Sequence, residues 1–135
     1  MADYTLAHLS DPHVSPLPPV LPWQLVNKRL LGFLSWFRRR RAIHRMEVLE
    51  LLCRDLLAQR PDHIAVTGDL INISLPGEFR TAARWLETLG DGSRVTVVPG
   101  NHDAYVPVAW ETGCGLWRPY MRGDEGAPER PAHLW

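Results

Sequence analysis

Three short apolar runs, Thr5 to Leu9, His63 to Thr67 and Arg94 to Pro99, alternate with longer stretches whose apolar residues recur at helical spacing. The runs have the length and composition of buried strands. Between the first two, Trp23, Val26, Leu30, Phe33 or Leu34, and Phe37 predict an amphipathic helix over 23–37, weakened by Gly32. Met46, Leu49, Leu52, Leu56 and Leu57 form a second stripe over 42–59, with Glu47, Glu50, Arg54 and Asp55 on the other side and Arg60-Pro61-Asp62 ending it. Phe79, Ala82, Ala83, Leu86 and Leu89 predict a third helix over 76–89, which Gly90-Asp91-Gly92 closes as a cap and turn. Residues 14–22 hold Pro16, Pro18, Pro19 and Pro22 and read as a non-helical loop. Beyond Asp103, a short helix is expected over 106–110, and the Gly- and Pro-rich stretch 112–131 reads as loop.

The resulting order, β-α-α-β-α-β, implies an α/β fold with parallel strands joined by right-handed crossovers and helices covering the sheet faces. In such a sheet the ligand crevice lies beyond the carboxyl ends of the strands, where residues ~30 to 60 positions apart converge. Each predicted strand here is followed at once by polar residues: Asp11-Pro12-His13, Gly68-Asp69 and Gly100-Asn101-His102-Asp103. Carboxylate oxygens, imidazole nitrogens and an amide oxygen form a mixed hard and borderline donor set, suited to Mn, Fe or Zn and without the thiolates of a structural zinc site. Two such ions ~3.5 to 4 Å apart form a clamp for in-line attack on phosphorus, and they need a carboxylate that bridges them.

D-x-H, then G-D, then G-N-H-D in this order resembles the signature of the calcineurin-like metallophosphoesterases. The resemblance covers residues 4–104 and implies the amino-terminal half of a four-layer α/β/β/α sandwich. It also implies two divalent ions, Mn, Fe or Zn, and hydrolysis of a phosphoester by a metal-activated hydroxide with no covalent enzyme intermediate. By resemblance, Asp11 and His13 are ligands of the first metal, Asp69 is the bridging carboxylate, and Asn101 is a ligand of the second. His102 then faces the scissile phosphate, where it protonates the leaving oxygen or stabilises developing charge, and Asp103 orients its imidazole. Gly68 and Gly100 let the backbone turn sharply at the strand ends. The stretch Gly68-Asp69-Leu70-Ile71-Asn72 with Gly77-Glu78-Phe79 most resembles the branch containing cyclic-nucleotide and other small phosphodiesterases.

The family pattern also contains a further His after another strand and a terminal G-H-x-H, and neither stands between Asp103 and Trp135. His133, the one His in that stretch, lacks a preceding Gly or strand. A chain of 135 residues therefore reads as a single, truncated domain, with its motifs in 4–104 and a loop-rich tail over 105–135. Three functions stay open: a dinuclear phosphomonoesterase or phosphodiesterase, a catalytically incomplete fragment that binds a metal or a partner, and a peripheral membrane module using residues 23–41.

Charge bears on the last of these. Net charge is +0, yet seven of the fifteen basic residues (Lys28, Arg29, Arg38 to Arg41 and Arg45) lie between 28 and 45 with no acidic residue among them. Interleaved with Leu30, Leu31, Phe33, Leu34, Trp36 and Phe37, this block is either a solvated connector or a contact for anionic lipid headgroups, with nucleic-acid phosphates the lesser alternative. The window from Leu17 to Phe37 is broken by prolines and charges and falls short of the ~20 apolar residues of a membrane span. Met1-Ala2-Asp3-Tyr4 leads directly into the first strand without a secretory signal, so a cytoplasmic location is expected. Cys53, on a helix face, and Cys114, in a loop, are expected as unpaired thiols. His8, His44 and His63 are expected to be non-ligands, and Asn72 a turn or cap residue. No nucleophile elbow surrounds Ser10 or Ser15, which argues against a Ser/His/Asp triad.

Overall fold

Three parallel strands form the frame: β1 (Leu6–Ser10), β2 (His63–Gly68) and β3 (Val95–Pro99), in the order β1-β2-β3. The computed structural model describes residues 3–40, 43 and 45–122; Arg41, Ala42, His44 and the tail with His133 lie outside the described residues. Leu6 pairs with His63 and Ile64 with Val95, so the three strands end side by side at Ser10, Gly68 and Pro99. That common end carries all three polar motifs.

The helices are α1 (Arg29–Ser35), α2 (Met46–Ala58) and α3 (Pro76–Leu89). Pro76 opens α3 at a position where its missing N–H costs nothing, and Phe79, Ala82, Trp85, Leu86 and Leu89 turn inward. They pack with Ile64, Val66, Val95 and Val97 of the central and third strands, and with Cys53, Met46, Leu49 and Leu56 of α2, in one core. Successive strands step across the sheet in one direction, so right-handed crossovers place α2 and α3 on the same face. On the other face, His8 bonds the Thr67 hydroxyl and His63 the Thr96 hydroxyl, each at 2.8 Å, which accounts for both histidines without a ligand role.

Three stretches differ from expectation. The helix expected over 23–37 is broken: a 3-10 turn (Pro22–Leu25) precedes α1, and a π-helical turn (Trp36–Arg40) follows it. Asn27 makes the break, because its side-chain oxygen accepts the Arg29 N–H at 2.9 Å and its carbonyl accepts that of Leu30 at 3.0 Å, which starts a new helix. The helix expected over 106–110 is absent, since Pro107 interrupts it and only the 3-10 turn Trp110–Thr112 forms. The stretch expected as loop contains a 3-10 segment, Cys114–Tyr120, that buries Cys114, Trp117 and Tyr120. Trp117 packs against Phe79 with the rings tilted at 37° and their centroids 5.3 Å apart, and donates its indole N–H to the Phe79 carbonyl at 3.1 Å.

Candidate metal centre

The ladder between β1 and β2 continues beyond the strands: Asp11 N–H donates to Thr67 O, His13 N–H to Asp69 O and Val14 N–H to Leu70 O. To keep these bonds the chain takes left-handed backbone at Asp11 (φ 49°) and His13 (φ 41°), a conformation that costs side-chain-bearing residues free energy and concentrates at functional sites. Gly68, at φ 80°, supplies the matching turn after β2, and a Cβ there would collide with the Asp11 carboxylate. Gly100 serves close approach instead: a Cβ there would collide with Asp69 Oδ1 and stand 2.7 Å from the Gly68 carbonyl carbon.

The result is a group of donors. One ligand atom each from Asp11, His13 and Asp69 lies within 4.8 Å of the others. Asp11 Oδ1 accepts the Asp69 N–H at 3.2 Å, His13 Nε2 stands 3.9 Å from Asp69 Oδ2, and His102 Nε2 stands 4.0 Å from the same oxygen. The His13 and His102 rings meet edge to face at 5.4 Å. Asp69 Oδ1 accepts the His102 N–H at 2.7 Å, which ties the third motif to the second. Asn101 is exposed in the turn after β3, between Gly100 and His102.

Both imidazoles are oriented by backbone. His13 Nδ1 lies 3.1 Å from Ile71 O, and His102 Nδ1 makes a short hydrogen bond to Asn72 O. A carbonyl only accepts, so Nδ1 carries a proton in each ring, and Nε2 is the nitrogen turned toward Asp69. Neutral imidazole with a fixed tautomer, beside carboxylates, is the donor chemistry of a divalent-metal site. Among the described residues, no Lys or Arg forms an ion pair with Asp11, Asp69 or Asp103. The donor set therefore fits a divalent cation in charge as well as in ligand type.

Asp103 occupies a different place from the one expected of a residue that orients His102. It is buried, and its carboxylate accepts N–H bonds from Gly100 at 2.8 Å and from Leu70 and Ile71 at 3.0 Å each. Burial pushes its carboxyl up to about 7 despite those bonds. It clamps the turn after β3 onto the turn after β2, and so acts on the imidazoles through the loop that carries their carbonyl partners.

That loop, residues 71–75, has a carbonyl role that leaves no mark in the sequence, because any residue type can present a carbonyl. Glu78 holds it: its carboxylate accepts the N–H groups of Asn72 at 2.8 Å, Ile73 at 3.2 Å and Leu75 at 2.9 Å. A Glu three residues into a helix that starts at Pro76 is the readable signal for such a role. Asn72 itself is fully buried. Tyr105 lies flat against His102, centroids 5.4 Å and planes 4° apart, and its N–H donates to Ser74 Oγ, which in turn donates to His102 O.

Comparison with known proteins agrees with this geometry. The model of the calcineurin-like phosphoesterases matches residues 4–135. A similar curated protein is the glycerophosphodiester phosphodiesterase GpdQ of Enterobacter lignolyticus (strain SCF1), 31% identical over 98 residues, which are 73% of this chain and 29% of that protein. The chain thus spans less than a third of the length of this relative. No solved structure matches the chain significantly. With its motifs at three adjacent strand ends and a family match over nearly its whole length, the chain belongs to the calcineurin-like phosphoesterase family.

Proposed function

We propose that this chain carries the amino-terminal half of a metal-dependent phosphoester hydrolase, with phosphodiesters favoured over monoesters because of the likeness to GpdQ. The observation that carries the reading is the convergence of Asp11, His13 and Asp69 donor atoms within 4.8 Å at the strand ends. Asp11, His13 and Asp69 would hold one divalent ion, and Asp69 with Asn101 a second, drawn from Mn, Fe or Zn. Such ions, when bound, supply Lewis-acid charge to a phosphoester oxygen and lower the pKa of water.

The chain's own residues do the rest. His102, with its Nδ1–H held by Asn72 O, would protonate the leaving oxygen from Nε2 as the doubly protonated imidazolium, and is left as the neutral ring once that proton is given up. Asp103 fixes the turn that carries Asn101 and His102. Tyr105 restricts the rotation of the His102 ring by stacking on it. On the partner side we read the block from Lys28 to Arg45 as a contact for an anionic membrane surface in preference to nucleic acid, with the protein cytoplasmic and membrane-peripheral.

Turnover of bis(p-nitrophenyl) phosphate with added Mn tests the reaction. Activity should be abolished by Asp69→Asn; activity that survives in the variant would sink the assignment. A second reading is a unit that binds metal without turnover, for which the convergence of Asp11, His13 and Asp69 suffices. It predicts that Mn raises thermal stability while hydrolysis is absent, and robust turnover would refute it.

A further inference from the structure

Helix α1 is apolar on both sides. Its inner side is committed: the Arg29 guanidinium donates to Ile73 O at 3.2 Å and Ser74 O at 2.7 Å, and Gly32 sits so close that a Cβ would stand 2.7 Å from Ile73 Cγ2 and 3.1 Å from the Tyr105 ring. Phe33 stacks on Trp36 along the same helix. Its outer side carries Leu30, Leu31, Leu34 and, one turn later, Phe37, all exposed, and the preceding turn adds Trp23 and Val26. Val26 is 82% exposed, Leu31 70% and Trp23 69%. An exposed apolar patch of this kind marks an interaction surface, and a helix apolar all round requires an apolar partner on its open side.

Charge identifies the partner. Seven basic residues and no acidic one lie between Lys28 and Arg45; Arg29 is committed to the loop, which leaves six, and of these Lys28, Arg38 and Arg45 are exposed. Nucleic acid would use the cations and stack on aromatic rings, but it offers nothing to Val26, Leu30, Leu31 and Leu34. An anionic bilayer surface accepts all of them: aliphatic and aromatic side chains enter the headgroup boundary while Lys and Arg meet lipid phosphates. No helix among the described residues is long and apolar enough to cross a membrane, so contact along the surface is the mode available to α1. We propose that Trp23, Val26, Leu30, Leu31, Leu34 and Phe37, flanked by the basic block, dock this chain on an anionic lipid surface.

The consequence for the site, which rests on the hydrolase reading, is a substrate class. The inner side of α1 is fastened to the loop whose Ile71 and Asn72 carbonyls hold the two imidazoles. A membrane on the outer side is then about one helix diameter, ~10 Å, from that loop. A docked chain is thereby held beside the phosphoesters of lipid headgroups.

Co-sedimentation of the 135-residue chain with sucrose-loaded vesicles tests the docking surface. Binding is expected to vesicles in which about a third of the lipid is phosphatidylglycerol, and not to pure phosphatidylcholine, because each cation near an anionic surface strengthens binding about fivefold. Replacing Arg38 to Arg41 with Ser should weaken binding at least ~100-fold. Leu31→Glu should weaken it about tenfold, and Val26→Glu repeats that test in a turn outside the helices, where no helix is perturbed. Circular-dichroism melts matching the parent qualify each variant. Absence of vesicle binding, equal binding to both lipids, or binding unchanged in the Glu variants would overturn the proposal. So would duplex-DNA binding that persists in Leu31→Glu without vesicle binding, or a dimer that Leu31→Glu dissociates. Vesicle binding is read without turnover, and Asp69→Asn should bind vesicles as the parent does, so failure here leaves the hydrolase reading standing.

Discussion

Glu78 is 2% exposed, and its two oxygens accept three buried backbone N–H groups, from Asn72, Ile73 and Leu75. Glu78→Ala removes every one of those acceptors. A buried donor left without a partner costs ~1–3 kcal/mol, so three give ~3–9 kcal/mol; the lower half is expected because the loop can turn some amides toward water. A loss of about 3–5 kcal/mol is a large part of the ~5–15 kcal/mol that holds a domain folded. Urea unfolding followed by tryptophan fluorescence measures it. The same loop presents the Ile71 and Asn72 carbonyls to His13 and His102, so Glu78→Ala should also weaken Mn binding ~10- to 100-fold, the usual effect of losing a group that orients metal ligands. Glu78→Gln keeps one acceptor oxygen and should cost about half as much. Its pH dependence separates the two variants further. Burial pushes the Glu78 carboxyl above its ordinary 4.5, against the pull of the amide bonds. A raised folded value means that the contribution of its proton to stability is complete below 4.5 and is lost as pH rises through the folded value. The parent should therefore lose stability relative to Glu78→Gln over that window. Glu78→Ala within ~1 kcal/mol of the parent, with Mn affinity unchanged, would refute the reasoning.

Three further predictions follow from packing and thiol chemistry. Gly100→Ala places a methyl against Asp69 Oδ1 and 2.8 Å from the Asp69 nitrogen, so it should cost ~1–3 kcal/mol and weaken Mn binding in a calorimetric titration; parent-like affinity would show that the turn has room. Trp117→Ala empties a fully buried site against Phe79 and should cost ~3–5 kcal/mol in urea unfolding; a cost below ~1 kcal/mol would mean that the Cys114–Tyr120 segment is not part of the core. Cys53 and Cys114 are both buried, and burial pushes both thiols up, Cys114 from 9.0 to about 12. At pH 8 the Cys114 thiolate is then about a thousandfold rarer than in an ordinary cysteine, so Ellman's reagent should label both thiols only after denaturation; fast labelling of native Cys114 would contradict its burial.

What could be read from the sequence was what repeats or what sits at a strand end. The three strands fall within one residue of their expected ends, and α3 spans the residues that its apolar period marked, because alternation of buried strands and amphipathic helices is written in side chains. The positions of Asp11, His13, Asp69 and His102 at one edge follow from parallel topology alone. What could not be read was written in backbone. The two carbonyls that set the imidazole tautomers belong to Ile71 and Asn72, whose side chains give no hint of that role. The same holds for Asp103, where a family motif marked the residue and the structure shows its carboxylate on three amides. The break in the first predicted helix turned on one Asn27 side chain, a local competitor that outweighs five apolar positions at helical spacing.

These two kinds of information meet at the loop of residues 71–75. Glu78 fastens it from α3, Asp103 clamps its first residue to the turn after β3, and Arg29 grips its far end from α1. Three ionisable side chains from three separate parts of the chain thus converge on five residues whose own side chains are almost wholly buried. Such a loop cannot shift at one anchor without pulling on the others, because a buried amide or carbonyl released by one must find another partner. Loosening Arg29 should therefore reach the imidazoles through the backbone. Arg29→Met keeps an unbranched apolar side chain and removes the bonds to the Ile73 and Ser74 carbonyls, and it should weaken Mn binding in calorimetric titration. Unchanged Mn affinity in Arg29→Met would show that α1 rests on the site without bracing it.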